Sequence, residues 1–593
     1  MKDFFRSFFA ALLALVVFMI LLFFFIGGMI SGLSKQFEKK EATVKVNSVL
    51  ELNLNYSIPE QTQENLAAGL SLLSLSFDNA IGLNDILASI KHAEKDDNIK
   101  GIYIRLGLNP NSSATLQEVR DALEDFKKNS GKFVIAYGEV INQAAYFLGS
   151  VGDAVYLNPS GILEFKGYSA QVSFYKEALD KLGVKTQIFY DGKFKSATEP
   201  FRMEKMSDEN RLQLRDYLNS LFVHNLSEIS STRNIGTEEL KNIANNLSGW
   251  YPAFARQVGL VNDVLYEDEV HDILKSKIGL NTTDTVTIIS LGKYSSTFQN
   301  LNPFEKTVKE KIAVVYADGT IIDGEGESGY IGSKTFADMM NEAAKDENIK
   351  AIVLRVNSPG GSAVASDVMW RSIEKAKEKK PVIVSMGSYA ASGGYMISCN
   401  ADRIFAEPNT LTGSIGVFLI VPEISDLMND KIGISFDTVN TSAHADFPSI
   451  TREFDDFEKN ILQQGVDSTY DKFKKMVADG RGLSMDQVES VAQGRIWIGL
   501  KAKELGLVDE IGGIDETIAY AVSQAGLKEY SIVEFPKQEE TFFTNILHSM
   551  TEETKTKLLA DKLGVFYPHY EAVTKLLEKP LMQARLPYEI IIR

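Results

Sequence analysis

Two stretches of the chain repeat one another. Lys95-Asp96-Asp97-Asn98-Ile99-Lys100 returns as Lys345-Asp346-Glu347-Asn348-Ile349-Lys350, and Ile104-Arg105-Leu106 returns as Leu354-Arg355-Val356, an offset of 250 (95 to 345). One residue then drops out. Gly138, Tyr146, Asp153, Pro159 and Gly167 match Gly387, Tyr395, Asp402, Pro408 and Gly416 at an offset of 249 (138 to 387). Val258-Gly259-Leu260-Val261 matches Leu505-Gly506-Leu507-Val508 at 247 (258 to 505). A period this long belongs to a duplicated domain, not to a solenoid unit. Each copy alternates short apolar strands with amphipathic helices. In the second copy the strand candidates are Ile312-Ala313-Val314-Val315, Ile352-Val353-Leu354 and Val382-Ile383-Val384, with helical stretches at 335–345 and 365–377. This pattern predicts α/β domains with mainly parallel strands.

The copies differ where chemistry would reside. The strand candidate Val382-Ile383-Val384 leads through Ser385-Met386-Gly387-Ser388-Tyr389-Ala390-Ala391-Ser392-Gly393-Gly394 into Tyr395-Met396-Ile397, which can open a helix. Ser392 therefore falls at a strand-to-helix turn, where a helix N-terminus aims unpaired N–H groups at charge developing beside the hydroxyl. A nucleophilic serine needs that setting. Small residues before a helix also serve tight helix–sheet packing, so the motif gains weight only from a second one. Ser358-Pro359-Gly360-Gly361 follows the strand Ile352-Val353-Leu354, and a Pro-Gly-Gly turn there presents backbone N–H groups to an oxyanion. In the first copy Gln143 stands at the position of Ser392, and Leu108-Asn109-Pro110-Asn111-Ser112 replaces the turn without a glycine pair. The first copy keeps a scaffold and lacks the nucleophile.

A serine nucleophile needs a base. Of the histidines, only His444 lies in the expected core region of the second copy, in the polar run Thr441-Ser442-Ala443-His444-Ala445-Asp446. A Ser-His-Asp triad would have to use it. Ala390 also replaces the first glycine of a G-x-S-x-G elbow, which weakens that reading. The alternative is a lysine kept neutral by burial. Lys195 stands out, flanked by Phe194 and by Ser196-Ala197-Thr198, in the copy that has no serine nucleophile. Spacing alone does not separate it from a solvated loop lysine.

Composition excludes some alternatives. A single cysteine, Cys399, rules out an intrachain disulfide and makes a zinc cluster implausible. A net charge of −17 argues against nucleic acid as the main partner. Residues 8–30 carry no charged side chain and suffice to cross a bilayer as a helix. A cleaved signal peptide is the rival, with Gly27-Gly28-Met29-Ile30-Ser31-Gly32 as a weak processing site; a retained anchor is the expectation. Lys2 and Arg6 before the span against Lys35, Lys39 and Lys40 after it do not favour sending the C-terminal bulk across, but a short leading tail with a long trailing domain still permits export, since long domains translocate largely regardless of charge. Residues 453–479 read as a long surface or interface helix pair. The polar tract 282–311, broken at Leu301-Asn302-Pro303, reads as the linker between copies. The closing Pro587-Tyr588-Glu589-Ile590-Ile591-Ile592-Arg593 reads as a packed apolar tail in preference to a strand added to a sheet edge.

The combination of the N-terminal apolar segment, the tandem duplication, Lys195-Ser196-Ala197-Thr198-Glu199-Pro200 in the first copy, and Asn357-Ser358-Pro359-Gly360-Gly361 with Ala390-Ala391-Ser392-Gly393-Gly394-Tyr395 in the second resembles the double-length form of bacterial signal peptide peptidase A. Gly494-Arg495-Ile496-Trp497-Ile498-Gly499 and Gly506-Leu507-Val508-Asp509-Glu510-Ile511-Gly512-Gly513 resemble its downstream pattern. The likeness covers roughly residues 45–530.

That resemblance implies a serine endopeptidase with a Ser-Lys dyad split between repeats, on the fold shared with Clp protease and crotonase. Ser392 would be the nucleophile and Lys195 the general base and acid. Backbone N–H groups of Gly361 and Gly393 would hold the oxyanion, with Pro359 and Gly360 shaping the turn beside the substrate. No cofactor or metal is expected. The implied partners are peptide substrates, chiefly signal peptides left after precursor cleavage, the lipid bilayer of the bacterial cytoplasmic membrane with the catalytic domains on its outer side, and three further copies in a homotetramer. The resulting division is an anchor at 1–40, a first Clp protease/crotonase-like repeat at 45–281, a linker at 282–311, a second repeat at 312–530 and a C-terminal extension at 531–593. Two rival classes share parts of this pattern: a crotonase-like acyl-CoA enzyme and a membrane scaffold with a dead site.

Overall fold

The computed structural model describes residues 43–62, 80–281, 283–299, 308–326 and 329–537, together with 564, 567 and 583–585. Two sheets repeat one plan. The first runs, edge to edge, Asp263–Val264, Ala154–Leu163, Phe133–Ile141, Ile99–Leu106, Ser48–Asn53 and Thr287–Ser290, every neighbouring pair parallel. The second places Val382–Ala391, Ile349–Ser358, Lys311–Asp318 and Ser531–Phe535 in the corresponding order, again parallel. The apolar runs Ile102–Ile104 and Ile352–Leu354 of the inner strands are buried on both faces, as parallel sheets require. Duplication extends to single hydrogen bonds. Tyr146 donates its hydroxyl to the Leu260 carbonyl, and Tyr395 donates to that of Leu507.

Three expectations need correction. Residues 287–299, assigned above to the linker, form the edge strand Thr287–Ser290 and the helix Leu291–Gln299 packed on the first sheet. Ser531–Phe535, assigned to the C-terminal extension, is the matching edge strand of the second sheet. Both are too short to stand out from polar surroundings and become strands only because Ser48–Glu51 and Lys311–Val315 offer free edges. Residues 453–479 are not a helix pair. One helix, Asp456–Arg481, opens on a capping box of Asp455 and Glu458 and closes on Gly482 in the left-handed conformation. Its buried Val466, Tyr470, Phe473 and Val477 recur every three or four residues, so one continuous face seats the whole length.

The apolar segment 8–30, residues 301–307 and the closing stretch 587–593 lie outside the described residues. Among the described residues no helix is long and apolar enough to cross a membrane.

A third sheet joins the copies. Its order is Tyr330–Gly332, Thr320–Ile322, Gly360–Ser362, Gln583–Arg585, Val417–Glu423 and Lys185–Asp191. The last strand comes from the first copy and pairs antiparallel along its full length with Val417–Glu423 of the second, from Val417 opposite Asp191 to Glu423 opposite Lys185. A buried ion network locks the same junction. Arg355 Nε donates to Glu60 at 2.8 Å, its Nη2 donates to Glu118, and its Nη1 donates to Ser385 at 2.8 Å. The duplicate position, Arg105, stays part-exposed and pairs within its own copy with Glu267. One position of the repeat has thus become the bolt between halves.

Candidate active site

Ser392 sits where the sequence places it, between the strand Val382–Ala391 and the short helix Gly393–Ser398. Its backbone is at φ 55°, ψ −112°, a region that a side-chain-bearing residue enters only under constraint, at about 1–3 kcal/mol. Two bonds impose it: Ser392 N–H donates to the Gly413 carbonyl at 2.8 Å, and the Ser392 carbonyl accepts from Met396 N–H at 2.8 Å. The hydroxyl is thereby turned off the sheet toward the junction with the first copy.

Lys195 arrives from that copy. The paired strand Lys185–Asp191 ends at Gly192, whose left-handed φ of 101° reverses the chain against the backbone of Gln493. Phe194 N–H donates to the Gln493 carbonyl at 2.9 Å, and Gln213 Nε2 donates to the Phe194 carbonyl and to Ser196 Oγ at 3.1 and 2.9 Å. Held on both sides, the fully buried Lys195 brings Nζ to 2.8 Å from Ser392 Oγ. Nζ also donates to the Ser414 carbonyl and to Ser414 Oγ, each at 3.1 Å. No carboxylate is among these partners. Burial therefore dominates and holds the amine well below the ordinary lysine range.

The other sequence-selected residues gather around this pair. Gly360 takes a left-handed φ of 94° after Pro359, and Gly361 lies in the strand Gly360–Ser362, which packs against the helix opened by Gly393. A Cβ on Gly361 would come 1.9 Å from the Ile321 carbonyl oxygen, and one on Gly394 would come 2.5 Å from that of Ser358. Glycine at 361 lets the turn approach the strand Thr320–Ile322, and glycine at 394 lets the helix start approach the turn. His444 is not part of the site. Its Nδ1 faces Glu458 at 3.1 Å in a cluster with Arg452 and Asp446, so His444 does not serve a Ser-His-Asp triad. In the first copy the corresponding place is filled: Gln143 Oε1 accepts from the N–H groups of Lys166 and Gly167 at 2.9 and 2.7 Å.

Sequence reasoning missed two features. Ser414, the second partner of the amine, lies in no motif; only its non-glycine φ of 51° marks it, and that is invisible before folding. The second is Gln583–Arg585. This segment runs antiparallel between Gly360–Ser362 and Val417–Glu423, with Ala584 opposite Gly361 and Gln583 opposite Phe418. The Phe418 ring in turn lies 6.0 Å from Lys195 Nζ. The extension therefore supplies a strand here, close to the stretch expected only to pack as an apolar tail.

Comparison with known proteins agrees with the duplication. The model of peptidase family S49 matches twice, at residues 126–281 and 374–528. The chain is 35% identical over 552 residues to Protease 4 of Haemophilus influenzae, covering 89% of this chain and 88% of that protein. It is 33% identical to Protease 4 of Salmonella typhi, over 87% of this chain and 82% of the relative. Against the chloroplastic serine protease SPPA of Arabidopsis thaliana the identity is 31%, over 83% and 72% of the two chains. With two family domains in tandem and alignment over nearly its whole length, the chain belongs to peptidase family S49, in the double-length form of signal peptide peptidase A.

Proposed function

We propose that this S49 serine protease works through a Ser392–Lys195 dyad, and that it is a membrane-anchored endopeptidase degrading signal peptides left in the bilayer after precursor processing. The observation that carries the dyad is the 2.8 Å contact between a buried amine without a carboxylate partner and a serine hydroxyl on a strained turn. Both halves, read as Clp protease/crotonase-like folds, are needed to build it.

In this reading the neutral Lys195 amine takes the Ser392 proton as Oγ adds to the scissile carbonyl carbon. The N–H groups of Gly361 and Gly393 stabilise the resulting oxyanion. The Lys195 ammonium then protonates the leaving amine as the C–N bond breaks, which leaves an acyl ester on Ser392. Water, deprotonated by the same amine, releases the acid product and restores the enzyme. Residues 8–30 would hold the chain in the bacterial cytoplasmic membrane with the catalytic domains on the outer side. Leader peptides, being continuous apolar segments, lie within reach of such an anchor.

The test is proteolysis of a leader peptide and of unfolded casein by wild type, Ser392→Ala and Lys195→Ala side by side, with a fluorophosphonate probe for Ser392. Both substitutions are expected to abolish turnover, and labelling is expected to require Lys195. Turnover unchanged in Ser392→Ala would sink the dyad in favour of a scaffold. An unlabelled Ser392 in a chain that turns over acyl-CoA thioesters would favour a crotonase-like enzyme.

A further inference from the structure

Lys195 occupies the centre of an inverse γ-turn. Its backbone is at φ −75°, ψ 73°, close to the roughly −75° and +65° of that turn, and Ser196 N–H donates to the Phe194 carbonyl at 2.8 Å across it. One hydrogen bond does not offset the entropy of ordering three residues, so the turn needs support from outside itself.

Gln213, fully buried on the helix Asp208–Arg233, reaches both ends of the turn. Its Nε2 donates to Ser196 Oγ at 2.9 Å and to the Phe194 carbonyl at 3.1 Å, and shares its hydrogens with Asn210 Oδ1 at 3.2 Å. Its Oε1 accepts from Ile496 N–H of the second copy at 3.2 Å. A carbonyl only accepts and a backbone N–H only donates, so the amide has a single orientation. Asn210 backs it from behind, donating Nδ2 to the buried Glu199 carboxylate at 2.8 Å.

The far end of that amide leads to the nucleophile. Ile496 lies opposite Gly413 in an antiparallel pair, and the Gly413 carbonyl accepts Ser392 N–H at 2.8 Å. One side chain therefore grips the turn that carries the amine and the strand that braces the hydroxyl. The duplicate helix, Asp456–Arg481, is offset by 248 (208 to 456) and places the exposed Ile461 at the position of Gln213. The amide occurs in the copy that supplies the lysine.

We propose that Gln213 is a positioning residue for the protease reaction: its amide staples the Lys195 turn to the strand bracing Ser392 and so fixes the approach of amine to hydroxyl. It acts through these two residues and not on the reacting atoms. The inference rests on the dyad reading.

The experiment compares full-length wild type, Gln213→Met, Lys195→Ala and the double variant, by steady-state proteolysis and by the rate and final extent of fluorophosphonate labelling at Ser392. Methionine keeps the length and loses both polar ends. Gln213→Met is expected to lower kcat about 100-fold with KM held within about twofold, as a small displacement of a reacting group does. Labelling should slow in proportion and still run to completion. Added to Lys195→Ala, the same substitution should cost nothing further, because its effect passes through the amine. In Gln213→Glu the shape and the Ile496 acceptor remain, but the donor is lost once the carboxyl ionises, so the deficit against wild type should grow with pH. Labelling of Gln213→Met at the wild-type rate and to completion, or an equal further loss in the Lys195→Ala chain, overturns the proposal. Incomplete labelling at the wild-type rate marks a misfolded fraction; Gln213→Glu then decides, and a deficit that does not grow with pH overturns it. Lys195→Ala labelling as fast as wild type would remove the dyad itself, whatever Gln213 does.

Discussion

Gly494 lies directly against Lys195: a Cβ at position 494 would come 2.6 Å from Lys195 Cβ and 2.7 Å from its Cα and N. Gly494 also has a left-handed φ of 75°, and Gly416 lies beside it, where a Cβ would stand 3.0 Å from Gly494 Cα and 3.2 Å from Lys195 Cδ. The second copy has cut a groove, two glycines wide, for the stem of a lysine from the first. Gly494→Ala is expected to displace the amine and lower kcat about 100-fold, the usual consequence of a misplacement near 1 Å. Steady-state kinetics together with circular dichroism, to show that the fold is kept, would check it.

Burial lowers the Lys195 pKa in the folded chain, so between that lowered value and the ordinary 10.5 the unfolded chain binds the extra proton. Stability contributed by this site therefore rises with pH across that window and is lost as pH falls through it. Lys195→Met removes the penalty. It is expected to raise thermal stability at neutral pH by about 1 kcal/mol while reducing turnover about 1,000-fold. The wild-type rate should climb as pH rises through the lowered amine pKa, and a melting curve beside a pH–rate profile reads both effects.

Ser414 gives the amine its second side-chain acceptor at 3.1 Å. Removing the hydroxyl costs one hydrogen bond, about 1 kcal/mol or roughly fivefold in rate. Because that oxygen favours the charged amine, Ser414→Ala should also move the rising limb of the pH–rate profile to lower pH. A variant with full activity and an unmoved profile would remove Ser414 from the site.

Arg355 holds Glu60 and Glu118 of the first copy from its place in the second sheet. Arg355→Met leaves two buried carboxylates without their cation, Glu118 keeping only the Ile514 N–H, and is expected to destabilise the chain by about 3–5 kcal/mol. Adding Glu60→Gln and Glu118→Gln should recover part of that loss. Denaturant unfolding of the single and triple variants makes the comparison.

Gln583–Arg585 fills the gap between Gly360–Ser362 and Val417–Glu423 beside the dyad, where an extended peptide would otherwise find two unpaired edges. Ala584→Pro removes the backbone donor opposite Gly361. The expected result is a several-fold rise in kcat/KM on a quenched peptide substrate, and an unchanged value would mean that this strand does not compete with substrate.

The order of residues alone determined the duplication, the α/β alternation, the strand-to-helix turn at Ser392 and the glycines of the 358–361 turn, because these rest on local periodicity and on backbone conformations that few residues tolerate. It also marked the first copy as lacking a nucleophile, since Gln143 stands at the matching position. Tertiary structure decided the rest. Lys195 and Ser392 are 197 residues apart, and only the pairing of Lys185–Asp191 with Val417–Glu423 brings one to the other. Ser414, Gly494 and Arg355 acquire their places through contacts across that joint, and the edge strands Thr287–Ser290 and Ser531–Phe535 acquire theirs from a neighbouring free edge. No local pattern encodes such contacts, because the free energy that fixes them comes from surfaces distant in the chain and buried together only once it has folded.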